Sequence, residues 1–280
     1  RDIAAELNIG LDSIVFVDDN PAERAIVEEQ LPEVAVPNVG TDVSVFAEIL
    51  EQERYFEADK IVQDDLSRAA FYNSNAERSA SQSQFSDYGD FLTSLQMSAE
   101  IAPFRPVYLE RITQLINKTN QFNLTTRRYS GGEVEAMSQD PAFLTLYGRL
   151  TDKFGDNGLV SVLVGQIVEE VLQIDLWLMS CRVLKREMEF AMFDALVEQC
   201  QLRGVRTIVG VYIPSKKNGM VAGHYASLGF SAMSGQSEIG EWWSYEVPDT
   251  HSPRTRHIRR TADSLQPAAT ADRASVTSEV

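Results

Sequence analysis

The chain has 280 residues, 44% hydrophobic and 24% charged, which is room for two modest domains and excludes collagen-like, coiled-coil and wholly disordered classes. Forty-one acidic against twenty-five basic side chains leave a net charge of −16, so general affinity for nucleic acid or anionic lipid is not expected. Residues 1–65 concentrate the acid, with seventeen Asp and Glu against four Lys and Arg, or −13, which suits a site that a cation neutralises. Cys181 and Cys200 give neither a disulfide framework nor a zinc spacing, and a reducing cytoplasm is the expected setting. The longest apolar stretch, Leu159–Leu178, is interrupted by Gln166, Glu169, Glu170, Gln173 and Asp175, so no membrane span is expected. The first residues carry no signal-peptide pattern.

In chain order, Asp2–Gly10 reads as a helix end stopped by Gly10. Ser13–Val17 is a short β-branched run of the kind found in a parallel strand covered on both faces. Asn20 and Pro21 then open a helix over Ala22–Leu31, with Asn20 as N-cap, and Val34–Pro37 makes a second strand. This is a βαβ piece of an α/β sheet, too small to bury its own faces. A helical, charged stretch is predicted from Val43 to Arg78, followed by a Ser/Gln/Asn-rich linker over Ser79–Ser86. The domains are therefore expected at 1–65, a helical connector at 66–95, and a second domain at 96–248. In the second domain, strands are predicted at Met97–Phe104, Phe143–Leu150, Leu159–Gly165, Val171–Leu178, Thr207–Ile213 and Trp242–Val247. Helices are predicted at Tyr108–Thr119, Glu187–Arg203 and Gly219–Leu228. Residues 249–280 are Arg-, Ser-, Thr- and Ala-rich without apolar periodicity and read as a disordered tail.

Asp18 and Asp19 end the first predicted strand, the position where open α/β sheets bind ligands. Adjacent like charges raise each other's pKa unless a cation intervenes, and a hard divalent ion such as Mg²⁺ would supply it. The plainer alternative has Asp18 capping the helix with Asn20 while Asp19 is solvated. The run Phe16-Val17-Asp18-Asp19-Asn20-Pro21-Ala22-Glu23-Arg24 resembles the fourth motif of haloacid dehalogenase-like (HAD) phosphatases, in the form used by the FkbH-like HAD-IIIC family. That resemblance implies a metal-site role for Asp18 and Asp19. No DxDx(T/V) nucleophile motif occurs in the sequence, so the chain reads as the C-terminal part of a longer protein, unable alone to turn over phosphate esters.

The segment Arg111–Tyr129 carries one apolar helical face (Ile112, Leu115, Ile116) and then turns to Asn, Gln and Thr, which compete with the helix for backbone hydrogen bonds. The polar loop that follows, with Lys118, Asn120, Asn123, Arg127 and Arg128, is suited to an anionic or amide-bearing ligand. A capped helix-to-strand connection is the other reading. The segment resembles the most recognisable signature of FkbH-like proteins, as does Phe154-Gly155-Asp156-Asn157-Gly158, and the matches together extend over residues 1–248.

Between the strand ending at Met179 and the long helix lies Ser180–Glu187, and a helix start with free N–H groups is how pyrophosphates are held. With the strand at Thr207 and the His224-Tyr225 helix, this layout resembles the GNAT acetyltransferase fold, a domain FkbH-like proteins carry. The resemblance assigns Arg182, Lys185, Arg186 and Asn218 to cofactor binding. Working acetyltransferases have glycines where Lys185 and Glu187 stand, so tight coenzyme A binding is not expected here. Tyr225 matches the tyrosine that protonates the leaving thiolate, or else packs under the last strand. Cys181 would serve as an acyl-carrying nucleophile only with a depressed pKa, and is otherwise an inert buried thiol. Asn218 could also simply cap its helix.

The fold class expected is α/β, the remnant of a HAD-like parallel sheet followed by a GNAT-like mixed sheet. The resemblance implies a Mg²⁺-dependent phosphatase/acyltransferase that takes a glyceryl-type unit from a phosphorylated small-molecule donor. The unit would pass to the phosphopantetheine arm of an acyl carrier protein in polyketide-like biosynthesis. The alternatives are a non-catalytic carrier-docking module and an N-acetyltransferase using acetyl-CoA.

Overall fold

The computed structural model describes residues 1–7, 9–57, 68–233 and 240–261. Contacts divide the chain into two compact units, Arg1–Ser86 and Asp87–Val280.

In the first unit, α1 (Asp2–Leu7) leads into a 3-10 turn at Leu11–Ser13. The two expected strands shrink to one parallel rung, Val15 against Ala35, made by Phe16 N to Ala35 O (2.8 Å) and Ala35 N to Ile14 O (3.1 Å). The direction is that of a βαβ unit, but a parallel pair needs covering on both faces, and the buried apolar side chains among the described residues of this unit are Ala4, Val34 and Val39. Between the rung's strands lies α2 (Pro21–Gln30), where Asn20 Oδ1 accepts from Ala22 N at 2.9 Å and Pro21 takes the first helical position. The expected helical stretch from Val43 is broken: α3 spans Phe46–Gln52, Arg54 turns left-handed at φ 56, and residues 58–67 lie outside the described ones. The next helix, α4 (Arg68–Gln82), runs through the first half of the expected linker, because extending an established helix by a turn of Ser and Gln costs little.

The unit boundary falls at Ser86 and Asp87 rather than after residue 95. Asp87 caps α5 (Tyr88–Ser94) by accepting from Asp90 N at 2.9 Å, and Phe91, Leu92 and Leu95 enter the core of the second unit. That core is built on β1 (Met97–Ala102), α6 (Leu109–Lys118), α7 (Gly131–Gln139), β2 (Phe143–Asp152), β3 (Gly155–Val168), β4 (Val171–Met179), α8 (Met188–Leu202), β5 (Thr207–Tyr212), α9 (His224–Ser227), β6 (Ser231–Ala232), β7 (Glu241–Glu246) and β8 (Ile258–Arg260). The strands form one mixed sheet in the order β6-β7-β5-β4-β3-β2-β1-β8, parallel at β4/β5 and β1/β8 and antiparallel elsewhere. One face packs α6 and α7 through Ile112, Ile116 and Val134; the other packs α5, α8 and α9 through Phe91, Phe193 and Tyr225. The predicted helix over Gly219–Leu228 is instead a 3-10 turn, Gly219–Val221, and the four-residue α9. Helix α7 is absent from the sequence-based expectation, although Ser130 and Glu133 form a reciprocal capping box at its start.

Residues 249–261 correct the expected tail: they form a strap. Within α8, Asp194 is fully buried and accepts from His251 Nε2 (2.8 Å), Arg254 N (2.9 Å), Thr255 N (3.0 Å) and the Thr255 hydroxyl (2.6 Å). Burial works against its charge, yet these hydrogen bonds hold its carboxyl below the usual range. Arg260 forks onto Glu198, and the Arg254 guanidinium stands 4.9 Å over the Phe193 ring. The remainder of the expected tail, residues 262–280, lies outside the described residues. Among the described residues no helix is long and apolar enough to cross a membrane.

Candidate functional site

Strands β4 and β5 pair only from Val171 to Ile174 against Thr207 to Gly210, and then part. Just past that point Asp175 is an extra residue in β4, a bulge opposite Val164 and Gly165 that re-aims the rest of the strand. The edge of β4 beyond the bulge is taken by Phe122–Thr125. The Thr125 hydroxyl donates to Asp175 O (2.8 Å), Leu124 N to Trp177 O (3.1 Å), and Met179 N to Phe122 O (3.0 Å). On the β5 side Ile213 N donates to Leu124 O at 2.8 Å, and Asn218 Nδ2 donates to Asn123 O at 2.9 Å. A short piece of chain thus lies between two diverging parallel strands and hydrogen-bonds to both.

This arrangement assigns most of the expected ligand-binding amides to the fold. Buried Asn123 donates to Thr119 O (3.1 Å) and accepts from Thr126 N (2.9 Å), an Asx turn that shapes the segment. Asn218 is also fully buried. It donates to Ile213 O (2.9 Å) and accepts from Ser215 N (2.7 Å), and it makes no helix cap. Arg127 pairs with Asp175 at 2.8 Å; burial raises the Asp175 pKa and Arg127 works against that rise. Arg128 satisfies the last carbonyls of α6, those of Ile116 and Thr119, and donates to Asn120 Oδ1. Lys118 stands exposed in the last turn of α6. The structure therefore brings Asn123 and Asn218 together, leaves Lys118 in solvent, and fits the plainer reading of a hydrogen-bonded connection.

The loop from β4 to α8 is similarly committed. Arg182 Nε donates to Ser180 Oγ at 3.2 Å. Arg186 lies 3.1 Å from Asp152 Oδ2, whose carboxylate is fully buried, and 3.3 Å from Asn157 Oδ1. The Phe154–Gly158 motif thus shapes a hairpin whose flank holds the Arg186 guanidinium, and neither is turned to a phosphate. Lys185 and Glu187 both adopt φ 63, the left-handed region that glycine enters freely and other residues enter at about 1–2 kcal/mol. The backbone has the glycine-type bends, and the side chains are accommodated by contacts. The Tyr88 hydroxyl donates to Lys185 O (2.8 Å), and Glu187 accepts from Arg256 N and His257 N (both 3.3 Å), with His257 Nδ1 at 3.0 Å. At the start of α8 stands Glu189, whose carboxyl burial raises, with Glu187 adding to the shift. Two carboxylates at the first turn are hostile to a pyrophosphate. In this arrangement the β4 edge is occupied and the start of α8 is acidic, which disfavours the pyrophosphate of coenzyme A, the group implied by the resemblance in sequence.

Tyr225 is fully buried beneath β5, where a Cβ on Gly210 would come within 2.3 Å of its ring. Burial raises its hydroxyl pKa, with the Val211 amide acting weakly the other way. Cys181 is pushed up by burial more than Arg182 lowers it, so the condition for a nucleophilic thiolate is not met. Burial likewise pushes Cys200 up to about 12. Next to Tyr225 are two groups the sequence did not single out, His224 and Trp177. Their rings meet edge-on at 4.6 Å, and burial takes the imidazole down to about 4, so it is neutral at pH 7. His224 was discoverable only as the neighbour of Tyr225; Trp177, in an apolar strand, gave no signal.

The acidic turn of the first unit is a helix entry. Asp18 Oδ1 accepts from Asn20 N (2.8 Å), and Arg24 Nη1 donates to Asp18 O (2.8 Å) while its Nη2 donates to Asn38 Oδ1 (3.1 Å). Asp19 is exposed. Among the described residues no group of three or more potential ligands assembles, so Mg²⁺ does not fit the residues present without further donors.

The chain is similar in fold to solved acetyltransferases over about half its length. With the ribosomal-protein-S18-alanine N-acetyltransferase of Escherichia coli it shares 13% identity, covering 56% of this chain and 99% of that one, at a TM-score of 0.41. With a GNAT-family acetyltransferase of Streptococcus pneumoniae the figures are 11%, 54%, 100% and 0.43. With a phosphinothricin acetyltransferase of Sinorhizobium meliloti, solved with acetyl-CoA, they are 13%, 56%, 93% and 0.41. No family model and no curated protein matches the sequence.

Proposed function

We propose that the second unit is a GNAT-like acyl-transfer module that works with a carrier-bound phosphopantetheine thioester rather than with free acyl-CoA. The first unit, in this reading, is the closing portion of a HAD-like phosphatase domain, the FkbH-like arrangement. One observation carries the proposal: two parallel strands part immediately before a β-bulge, on the strand that leads into the long helix. The β4 edge beyond the bulge, held in this structure by Phe122–Thr125, carries the main-chain donors and acceptors to which an extended thioester arm would pair in that segment's place. The acidic start of α8 favours an arm without the adenosine pyrophosphate. Lys118, Lys185 and Lys216 are exposed and available to an acidic carrier.

Calorimetry on the whole chain tests this. A carrier protein bearing the phosphopantetheine arm should bind at least about tenfold more tightly than the same carrier without it, and acetyl-CoA should give no heat. Equal binding of the two carriers rejects the reading. A second reading, N-acetylation of a small amine with acetyl-CoA, is favoured by the left-handed backbone at Lys185 and Glu187, which keeps the bends of a glycine loop. Micromolar acetyl-CoA binding would select it.

A further inference from the structure

The parting of β4 and β5 gathers polar atoms that the fold leaves unsatisfied. Trp177, His224 and Tyr225 are 0%, 7% and 0% exposed, and the His224 ring lies 4.6 Å from that of Trp177 and 5.9 Å from that of Tyr225. Trp177 Nε1 and His224 Nε2 find no hydrogen-bond partner among the described residues, while the Val211 amide approaches the Tyr225 hydroxyl without the geometry of a full hydrogen bond. Buried polar atoms are nearly always paired, so such a group in one cluster marks a place for a bound molecule or a second arrangement of the chain. The cluster is closed by Phe122, whose ring stands 5.1 Å from His224, and the Phe122 and Leu124 backbones fill the β4 edge beside it. The segment ends at Thr126, a β-branched residue held at φ 54, a strained position from which the loop can pivot.

We propose that residues 121–125 are a self-inserted strand that shuts a slot lined by Trp177, His224 and Tyr225, and that an uncharged, carbonyl-bearing chain displaces it. The walls set the ligand's chemistry. The three lining rings carry no formal charge, the indole N–H only donates, and a tyrosine hydroxyl donates readily, so the occupant must present acceptors. The β4 edge alternates an acceptor at Trp177 O with a donor at Met179 N, a pattern an amide matches and a simple alkyl chain does not. On displacement the buried groups gain partners, which offsets the loss of the segment's own hydrogen bonds. The inference uses the acyl-transfer reading only to choose a probe, S-acetyl-N-acetylcysteamine, a short uncharged amide thioester.

Native-state hydrogen exchange on the whole chain is the first arm. The amides of Leu124, Met179 and Ile213 should open at least about a hundredfold more often than those of the β2–β3 ladder. If they exchange only with global unfolding, the segment is a permanent strand and the proposal falls, whatever becomes of acyl transfer. The second arm titrates the probe while following the Trp177 indole and His224 imidazole signals. Phe122→Ala should bind about tenfold more tightly than the parent, and Asn123→Ala, which loosens the Asx turn, should shift in the same direction by less. A folded Phe122→Ala with parental affinity overturns the proposal. Absence of carrier binding alongside fast exchange and a Phe122→Ala gain removes the acyl-transfer reading alone.

Discussion

The acidic turn at Asp18–Asp19 and the basic loop at Arg182–Glu187 both follow the end of a strand, and both are conspicuous in sequence; the fold treats them in opposite ways. In the first, a single rung and an Arg24 clamp support the turn, and Asp19 remains in solvent. In the second, Arg186 is spent on buried Asp152, and Glu187 is spent on the strap. A polar residue beside a well-filled core is drawn into satisfying that core, whereas one beside a sparse core keeps its chemistry for a partner from outside. Charged side chains past the end of an apolar run are common to both cases; the amount of buried apolar surface nearby separates them.

Substitutions can break or sharpen that contrast. The largest effect is expected from Arg186→Ala, which removes the cation beside the buried Asp152 carboxylate and leaves it the Phe154 N and Asn157 hydrogen bonds; it should cost about 3 kcal/mol, read as the unfolding midpoint of the second unit. Asn218→Ala removes the amide that ties Asn123, Ile213 and Ser215 together and should cost about 2–3 kcal/mol in the same measurement. Lys185→Gly should move the other way, stabilising by up to about 1 kcal/mol by relieving the left-handed bend. Asp18→Ala is expected to be smallest, about 0.5–1 kcal/mol by urea melts of the first unit, with the second unit's midpoint unmoved. An Asp18→Ala effect as large as that of Arg186→Ala would erase the contrast.

Acid should release the strap late, below the ordinary carboxylate range. The Asp194 carboxyl is held below its unfolded value, so the stability it contributes is present above the ordinary carboxylate range and is lost as pH falls through the lowered value. Arg254 and Thr255 amides should therefore lose exchange protection on acidification in that window, and in Asp194→Asn they should be weakly protected at every pH.

The sheet was largely legible because β2, β3 and β4 are runs of β-branched and leucine side chains whose length and turns speak for themselves: Leu159–Gly165 lies within β3, and Val171–Leu178 is β4 less its last residue. Helix α7 was hidden by Gly131-Gly132, which read as a loop although Ser130 and Glu133 cap a helix there. The strap was hidden for a different reason: it is held by backbone amides, the Thr255 hydroxyl, two histidines and the Arg260 guanidinium, aimed at Asp194, Glu187 and Glu198, and polar docking leaves no apolar period to read. The Asn-rich segment was rightly singled out as unusual, but sequence could not tell that the Asn218 side chain donates to the Asn123 carbonyl. That pairing joins residues 95 apart and exists only once β4 and β5 have parted. Trp177 gave no signal because apolar neighbours surround it in the chain as in space, and His224 showed only as the neighbour of Tyr225.

The docking of residues 251–260 onto α8 also fixes where the second unit can be severed. A version ended at Pro248 would leave the buried Asp194 carboxylate in the middle of α8 without the amides and hydroxyl that receive its charge, and would bare the outer edge of β1. Such a product is expected to aggregate, whereas one carried through Thr261 keeps both seams closed.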